Sequence, residues 1–159
     1  MSGVISDNVY RASGVIAAAG GGGKLVGFAI GQQPNETTIN STSYVSTGLT
    51  ITYTPTDYSS NKIIVSLNGL YSQDDSDGQS SFTKILGTQD GVDHSVAEKT
   101  TGIDENQTSY HAISFCIEDT NLSSNLEVTY TYQAKGGNVT TDYRPRDITT
   151  LSVMEISAW

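Results

Sequence analysis

The sequence predicts an all-β protein, an antiparallel β-sandwich or barrel with an extended N-terminal arm, on three observations. Thr and Ser number 20 each in 159 residues, and Ile plus Val (24) outnumber Leu plus Ala (17). That balance suits pleated, half-buried surfaces better than helices. From Leu25 onward, short alternating runs are separated by turn-forming residues, the spacing of a sandwich or barrel. Nothing between those runs is long enough to be a helix of substance, and the length corresponds to about one domain able to bury a core.

Residues 1–24, MSGVISDNVYRASGVIAAAGGGGK, are the arm. Poor in charge and lacking a long amphipathic period, they cannot build a core alone. Extended, they reach on the order of 80 Å, at about 3.3 Å per residue. Val4, Ile5, Val9, Tyr10, Val15 and Ile16 are the expected anchors against a partner. Gly20, Gly21, Gly22 and Gly23 are the expected hinge, because four glycines have the greatest backbone freedom. The same glycines and Lys24 suggest a phosphate loop, but its first glycine position holds Ala18 and its hydroxyl position holds Leu25.

The domain, residues 25–159, contains candidate strands at Leu25–Gln33, Ser43–Ser46, Leu49–Thr54, Lys62–Tyr71, Ser80–Gly87, Ser95–Lys99, Tyr110–Glu118, Leu126–Ala134 and Thr149–Ser157. Leu49, Ile51 and Tyr53 alternate with threonines, and Leu126, Val128, Tyr130 and Tyr132 alternate with Glu127, Thr129 and Thr131. Such strands put one face in a core and one in water. Two strands depart from this rule. Ile63, Val65 and Leu67 share a face, yet Ile64 and Leu70 occupy the other; Leu151 and Val153 oppose Met154 and Ile156. Packing of outer faces near a symmetry axis would cover both sides, so a homo-oligomer is expected.

Net charge is −9 with 8 Lys and Arg, which argues against nucleic-acid binding. Arg144-Pro145-Arg146-Asp147 is expected in a loop, its charges serving salt bridges within the fold or to a neighbouring subunit. Cys116 is the one cysteine, so no intrachain disulfide can form, and its place in a strand suggests a small buried hydrophobe. No basic leader with an apolar core and no bilayer-length apolar window occurs; a soluble, non-exported chain without membrane insertion is expected.

Chemical motifs are incomplete. Gln73–Gly78, QDDSDG, resembles a calcium loop, but the twelfth position is Lys84 rather than a bidentate Glu. An acidic hairpin tip is the expectation, with ion binding at Asp74–Asp77 left open. Asp93-His94-Ser95 holds triad residue types, but neighbours in a strand point apart; His94 is expected to be an exposed loop residue and His111 to pack at the core margin. Asp90, Asp93, Glu98, Asp104 and Glu105 are read as acidic loop residues that maintain solubility, not as paired catalytic carboxylates. No catalytic residue, metal or cofactor is expected. Tyr is the commonest aromatic, nine against three Phe and one Trp, and its ring and hydroxyl suit interfaces and saccharides. Tyr58, Tyr71, Tyr110 and Tyr143, near loops or strand ends, are candidates for surface recognition; Tyr130 and Tyr132 are expected to pack across strands.

The stretch Ser41–Val65, STSYVSTGLTITYTPTDYSSNKIIV, resembles a module of tailed-phage virion proteins, especially tail-fibre-like proteins of marine and cyanobacterial phages. The resemblance rests on Ser43-Tyr44, Thr47-Gly48-Leu49, Pro55, Ser59-Ser60-Asn61 and Lys62-Ile63-Ile64-Val65, then on SFTKILG (Ser81–Gly87) and LSVMEIS (Leu151–Ser157). It implies a jelly-roll-like sandwich, a homotrimer, and a place in the virion after assembly in the host cytoplasm. The implied role is a fibre-like or capsid-decorating structural subunit bound to other capsid or tail proteins, with a lectin-like receptor-binding protein for host-surface glycans as the alternative. The family carries no catalytic residues to transfer.

Overall fold

The computed structural model describes residues 23–74, 80–101, 109–137, 142–146 and 148–157. The anchors Val4, Ile5, Val9, Tyr10, Val15 and Ile16, and Gly20–Gly22 of the hinge, lie outside the described residues, as do Asp75–Gly78, Asp104 and Glu105. Among the described residues there are nine strands: β1 (Lys24–Gln32), β2 (Val45–Tyr53), β3 (Lys62–Asp74), β4 (Ser81–Gln89), β5 (Val92–Thr101), β6 (Ser109–Glu118), β7 (Val128–Gly136), β8 (Asp142–Pro145) and β9 (Thr150–Ser157). They pair antiparallel in two sheets. The first has the order β1-β9-β3-β6, with β8 on the far end of β3, and the second β2-β7-β4-β5. The protein is an all-β sandwich, and among the described residues no helix is long and apolar enough to cross a membrane.

The chain crosses between sheets at every connection except β4–β5 and β8–β9. β4 and β5 are joined through Asp90 and Gly91, with φ of 52° and 75°. Two successive positive φ values give a turn whose twist matches paired strands, and Asp-Gly is the sequence that tolerates it. The expected hairpin between Tyr71 and Ser80 is corrected: β3 and β4 belong to different sheets, so that segment is a crossover.

Two further differences have local causes. The candidates Ser43–Ser46 and Leu49–Thr54 are one strand, β2, whose pairing with β7 shifts register between Ser46 and Thr50. Gly48, with a φ of 89°, sits in that irregularity and supplies a backbone shape that other residues resist. Arg144-Pro145 is the end of β8 rather than a loop, with Tyr71 opposite Pro145. Proline offers no N–H, and the Arg146 amide donates to the Leu70 carbonyl at 2.9 Å just beyond it. Arg146 also pairs with Glu36 at 2.7 Å, the within-fold salt bridge expected of this segment.

The core lies between the sheets. Leu49 and Ile51 of β2, Ile63, Val65 and Leu67 of β3, Val128, Tyr130 and Tyr132 of β7, and Leu151 and Val153 of β9 are buried. Tyr71 and Tyr143 are buried too, so their expected surface role is corrected. Tyr71 stacks on Tyr143 with centroids 4.7 Å apart and on His111 at 5.2 Å. Tyr132 and Tyr143 hydrogen-bond hydroxyl to hydroxyl. Burial raises the pKa of both phenols, which keeps this inner pair neutral.

A carboxylate is enclosed between the sheets. Glu155 shares the core-facing register of Leu151 and Val153 and is 0% exposed. Its carboxylate accepts from the Tyr53 hydroxyl, the Thr56 amide (2.9 and 3.0 Å) and hydroxyl (2.7 Å), the Asp57 amide (3.0 Å) and Asn61 Nδ2 (2.6 Å). Burial alone would raise its pKa, but the donors from Asn61, Tyr53 and Thr56 together outweigh it and bring the value down from 4.5 to about 2. A carboxyl whose folded pKa is depressed stabilises the fold fully above its unfolded pKa and loses that contribution as pH falls through the folded one. The contribution is on the order of 3 kcal/mol, at about 1.4 kcal/mol per pKa unit.

Unfolding free energy is therefore expected to fall steeply between pH 4.5 and about 2. Glu155→Gln, which turns an amide NH2 toward existing donors, is expected to cost roughly 2–4 kcal/mol at pH 7 and to flatten that acid limb. Urea titrations at several pH values check both.

Candidate interaction surfaces

β1, KLVGFAIGQ, turns its bulk away from the core. Gly27 faces inward opposite Glu155, as do Ala29 opposite Val153 and Gly31 opposite Leu151. A Cβ at Gly27 would overlap the Tyr53 hydroxyl, and one at Gly31 would overlap the Ile51 Cγ2. The absence of side chains there lets the first sheet's edge close onto β2. Phe28 and Ile30 point the other way and are 53% and 59% exposed. In a strand, one-residue alternation decides which set is buried, and here the small residues occupy the core face.

The register carries this apolar surface across the sheet. Leu25 stands opposite Ile156, which stands opposite Lys62; Phe28 opposite Met154, then Ile64, then Glu118; Ile30 opposite Ser152, then Ser66, then Cys116. Met154, Ile156 and Ile64 are half-buried and Cys116 is exposed. The expectation of a buried Cys116 is corrected: it has the parity of Ser114, not of core-facing Ile113. The second sheet's outer face differs. Thr50 opposes Thr131, Thr52 opposes Thr129 and Lys84 opposes Gln133, while Phe82 lies opposite Lys135, whose ammonium sits over its ring, and Leu86 opposite Thr131; it is a more polar surface, with its large apolar residues half-buried.

At one end of the sandwich the β2–β3 connection (54–61) and the β6–β7 connection (119–127) enclose a cleft of about 290 Å3 lined by Tyr58, Ser60, Lys62, Glu118, Thr120 and Leu122, among others. Both connections are pinned by side chains. Asp57 accepts from the Ser59 hydroxyl at 2.8 Å and from the amides of Ser59 and Ser60, each at 3.1 Å; its pKa is lowered chiefly by the side chains of Ser59 and Ser60 and further by these amides. The Tyr58 amide donates to Asn125 Oδ1 at 2.8 Å. Gln89 Nε2 donates to the carbonyls of Ser124 and Leu126 at 3.0 and 2.9 Å. Lys62 Nζ lies 2.8 Å from Glu118 Oε2 at the rim.

Beneath the cleft, Asp119 is fully buried at its side chain. Its Oδ2 lies 2.9 Å from His94 Nε2 and accepts from the Tyr130 hydroxyl at 2.9 Å, while Oδ1 accepts from the Asn121 amide at 3.0 Å. His94 is thus a mostly buried strand residue packed over Gly87, which corrects the exposed-loop expectation. Asp93 instead accepts from Thr88 at 2.7 Å, so Asp93-His94-Ser95 is not assembled as a triad. Glu98 accepts from the Tyr44 hydroxyl at 2.7 Å.

Of the tyrosines singled out from sequence, Tyr58 and Tyr110 are exposed and Tyr71 and Tyr143 are interior. Tyr58 lines the cleft, whereas Tyr110 lies under the Arg146 guanidinium at 5.5 Å. Among the described residues, no group of three or more His, Cys, Asp or Glu is placed to hold a metal ion. The inverted β1 and the Glu155 and Asp119 clusters were not singled out from sequence. A small–large alternation in β1 and a carboxylate in core register in β9 were their signals. The chain matches no known family model, and a search of curated proteins finds no relative.

Gly27→Ala is expected to lower stability by about 1–3 kcal/mol, since Tyr53 is held by Glu155 and cannot swing aside without losing that bond. Phe28→Ser with Ile30→Ser is expected to leave the chain folded within roughly 1 kcal/mol, because neither side chain contributes to the core. Thermal unfolding of both variants at low protein concentration checks the contrast.

Proposed function

We propose that the protein is a non-enzymatic structural subunit of a tailed-phage virion, a fibre-like or capsid-decorating homotrimer that self-associates through the outer face of the β1-β9-β3-β6 sheet and is attached by its N-terminal arm. The observation that carries the reading is the outward aim of Leu25, Phe28 and Ile30 beside Met154, Ile156 and Ile64. Contiguous apolar surface of this kind marks sites of association.

Charge favours a second copy as the occupant. With 17 Asp and Glu against 8 Lys and Arg, two copies repel one another over most of their surfaces. The one carboxylate in these rows, Glu118 at their end, is paired with Lys62. Like surfaces can therefore meet there without bringing uncompensated charges together.

Two features support the virion part of the reading. The order β1-β9-β3-β6 against β2-β7-β4-β5, with β8 and β9 taken as one interrupted strand, is compatible with a jelly roll, an architecture used in capsid and lectin domains. The segments that carry the resemblance also meet in space: Thr56, Asp57 and Asn61 from the first hold Glu155 from the last. In this assignment residues 1–24 attach the subunit to a neighbouring virion protein.

Sedimentation of the full chain is expected to give a trimer, and Phe28→Glu with Ile30→Glu a folded monomer; a wild-type monomer at all concentrations would refute assembly through this face. Deleting residues 1–24 is expected to leave a folded trimer that no longer joins purified particles, and undiminished incorporation would refute attachment through the arm.

A further inference from the structure

We propose that the cleft between the 54–61 and 119–127 connections is a binding site for a neutral saccharide, with Tyr58 as its stacking platform and the Lys62–Glu118 pair as its polar rim. The inference is independent of trimer formation. Its volume of about 290 Å3 lies at the small end of ligand pockets and suits one or two sugar rings.

The lining selects the ligand class. Tyr58 from one connection and Leu122 from the other supply the apolar part of the lining, and a tyrosine ring is the kind of surface on which the C–H face of a pyranose rests. Ser60 and Thr120 bring hydroxyls that both donate and accept. The Lys62 ammonium and Glu118 carboxylate are held 2.8 Å apart, and their side chains remain 60% and 38% exposed. Their remaining donors and lone pairs are therefore accessible side by side, a spacing that vicinal hydroxyls match with one donor and one acceptor each. An anionic ligand is disfavoured, because Glu118 offsets the single cation of the lining and the chain carries a net charge of −9.

The walls are already ordered. Asp57 and Glu155 fix the Thr56–Asn61 turn, Asn125 fixes the Tyr58 amide, and Asp119 and Gln89 fix the opposite connection. Side chains held this way lose little freedom when a ligand arrives, which lowers the cost of binding. Glu155, Asp119 and Gln89 are buried and Asp57 is half-buried, and rigidly positioned loops are where binding residues concentrate.

The test is titration of isotope-labelled full-length protein with glucose, galactose, mannose, N-acetylglucosamine and their disaccharides, followed by amide NMR shifts, with sialic acid as the anionic arm. Saturable shifts confined to residues 58–62 and 118–122 are expected for at least one neutral sugar. Tyr58→Ala should weaken binding at least about tenfold, with Tyr58→Phe close to wild type. Glu118→Gln gives a second reading should Tyr58→Ala fail to fold, with an expected loss of about fivefold or more. Binding should persist in the Phe28→Glu, Ile30→Glu monomer, which separates this site from the assembly face. No saturable shift with any neutral sugar, binding of sialic acid alone, shifts mapping elsewhere, or unchanged affinity in a folded Tyr58→Ala variant would each overturn the proposal.

Discussion

The Glu155 carboxylate, buried between the sheets and closed by neutral donors, is the interaction on which the rest of the architecture turns. An enclosed charge is tolerated when its lone pairs are occupied, and here they are occupied from two directions. Tyr53 reaches it from the second sheet, and Thr56, Asp57 and Asn61 reach it from the connection that follows. The bond to Tyr53 fixes the ring against which β1 packs, so Gly27 must lack a side chain. The bonds to the connection fix the turn that carries Tyr58. Strand closure at one edge and loop order at one end thus share a single anchor.

Much of this was legible because a sheet with one wet face imposes a period of two, and the chain keeps that period wherever its strands are half-buried. Residues 49–53, 63–67 and 128–132 therefore place their core sets as the alternation predicts. Legibility fails where a local device interrupts the count. Gly48 breaks β2 into two apparent pieces, and Pro145 makes a four-residue strand read as loop. It fails again where partners are remote in sequence. Asp119 and His94 are separated by 25 residues and Glu155 and Asn61 by 94, and neither spacing has meaning until the sheets are stacked.

Tyrosine shows the same limit in another form. Tyr71 and Tyr143 stand near strand ends, which sequence associates with the surface, yet they stack on one another inside. The sandwich permits this because Tyr143 and Tyr132 hydrogen-bond to each other, so the hydroxyls need no water. Tyr58 has no such interior partner for its ring and remains outside. Proximity to a loop therefore does not by itself keep a tyrosine at the surface when an interior partner can take its hydroxyl.

The two candidate surfaces make different physical demands, and their places in the fold follow from this. Association of copies needs area and shape but little directional bonding, which a flat sheet face provides; β1 could give its large residues to that face because Gly27, Ala29 and Gly31 close its inner side, the glycines lying against Tyr53 and Ile51. Recognition of a small polar ligand needs fixed donors and acceptors around a concavity, which only the connections provide. Lys62 and Glu118 stand where the two regions meet, at the end of the apolar rows and on the rim of the cleft. Under the two proposals, their pairing would neutralise charge at the border of the first surface and offer it to a ligand in the second. A packed trimer would then leave the cleft at the end of the sandwich, away from the buried sheet face, and one subunit could serve both assembly and recognition.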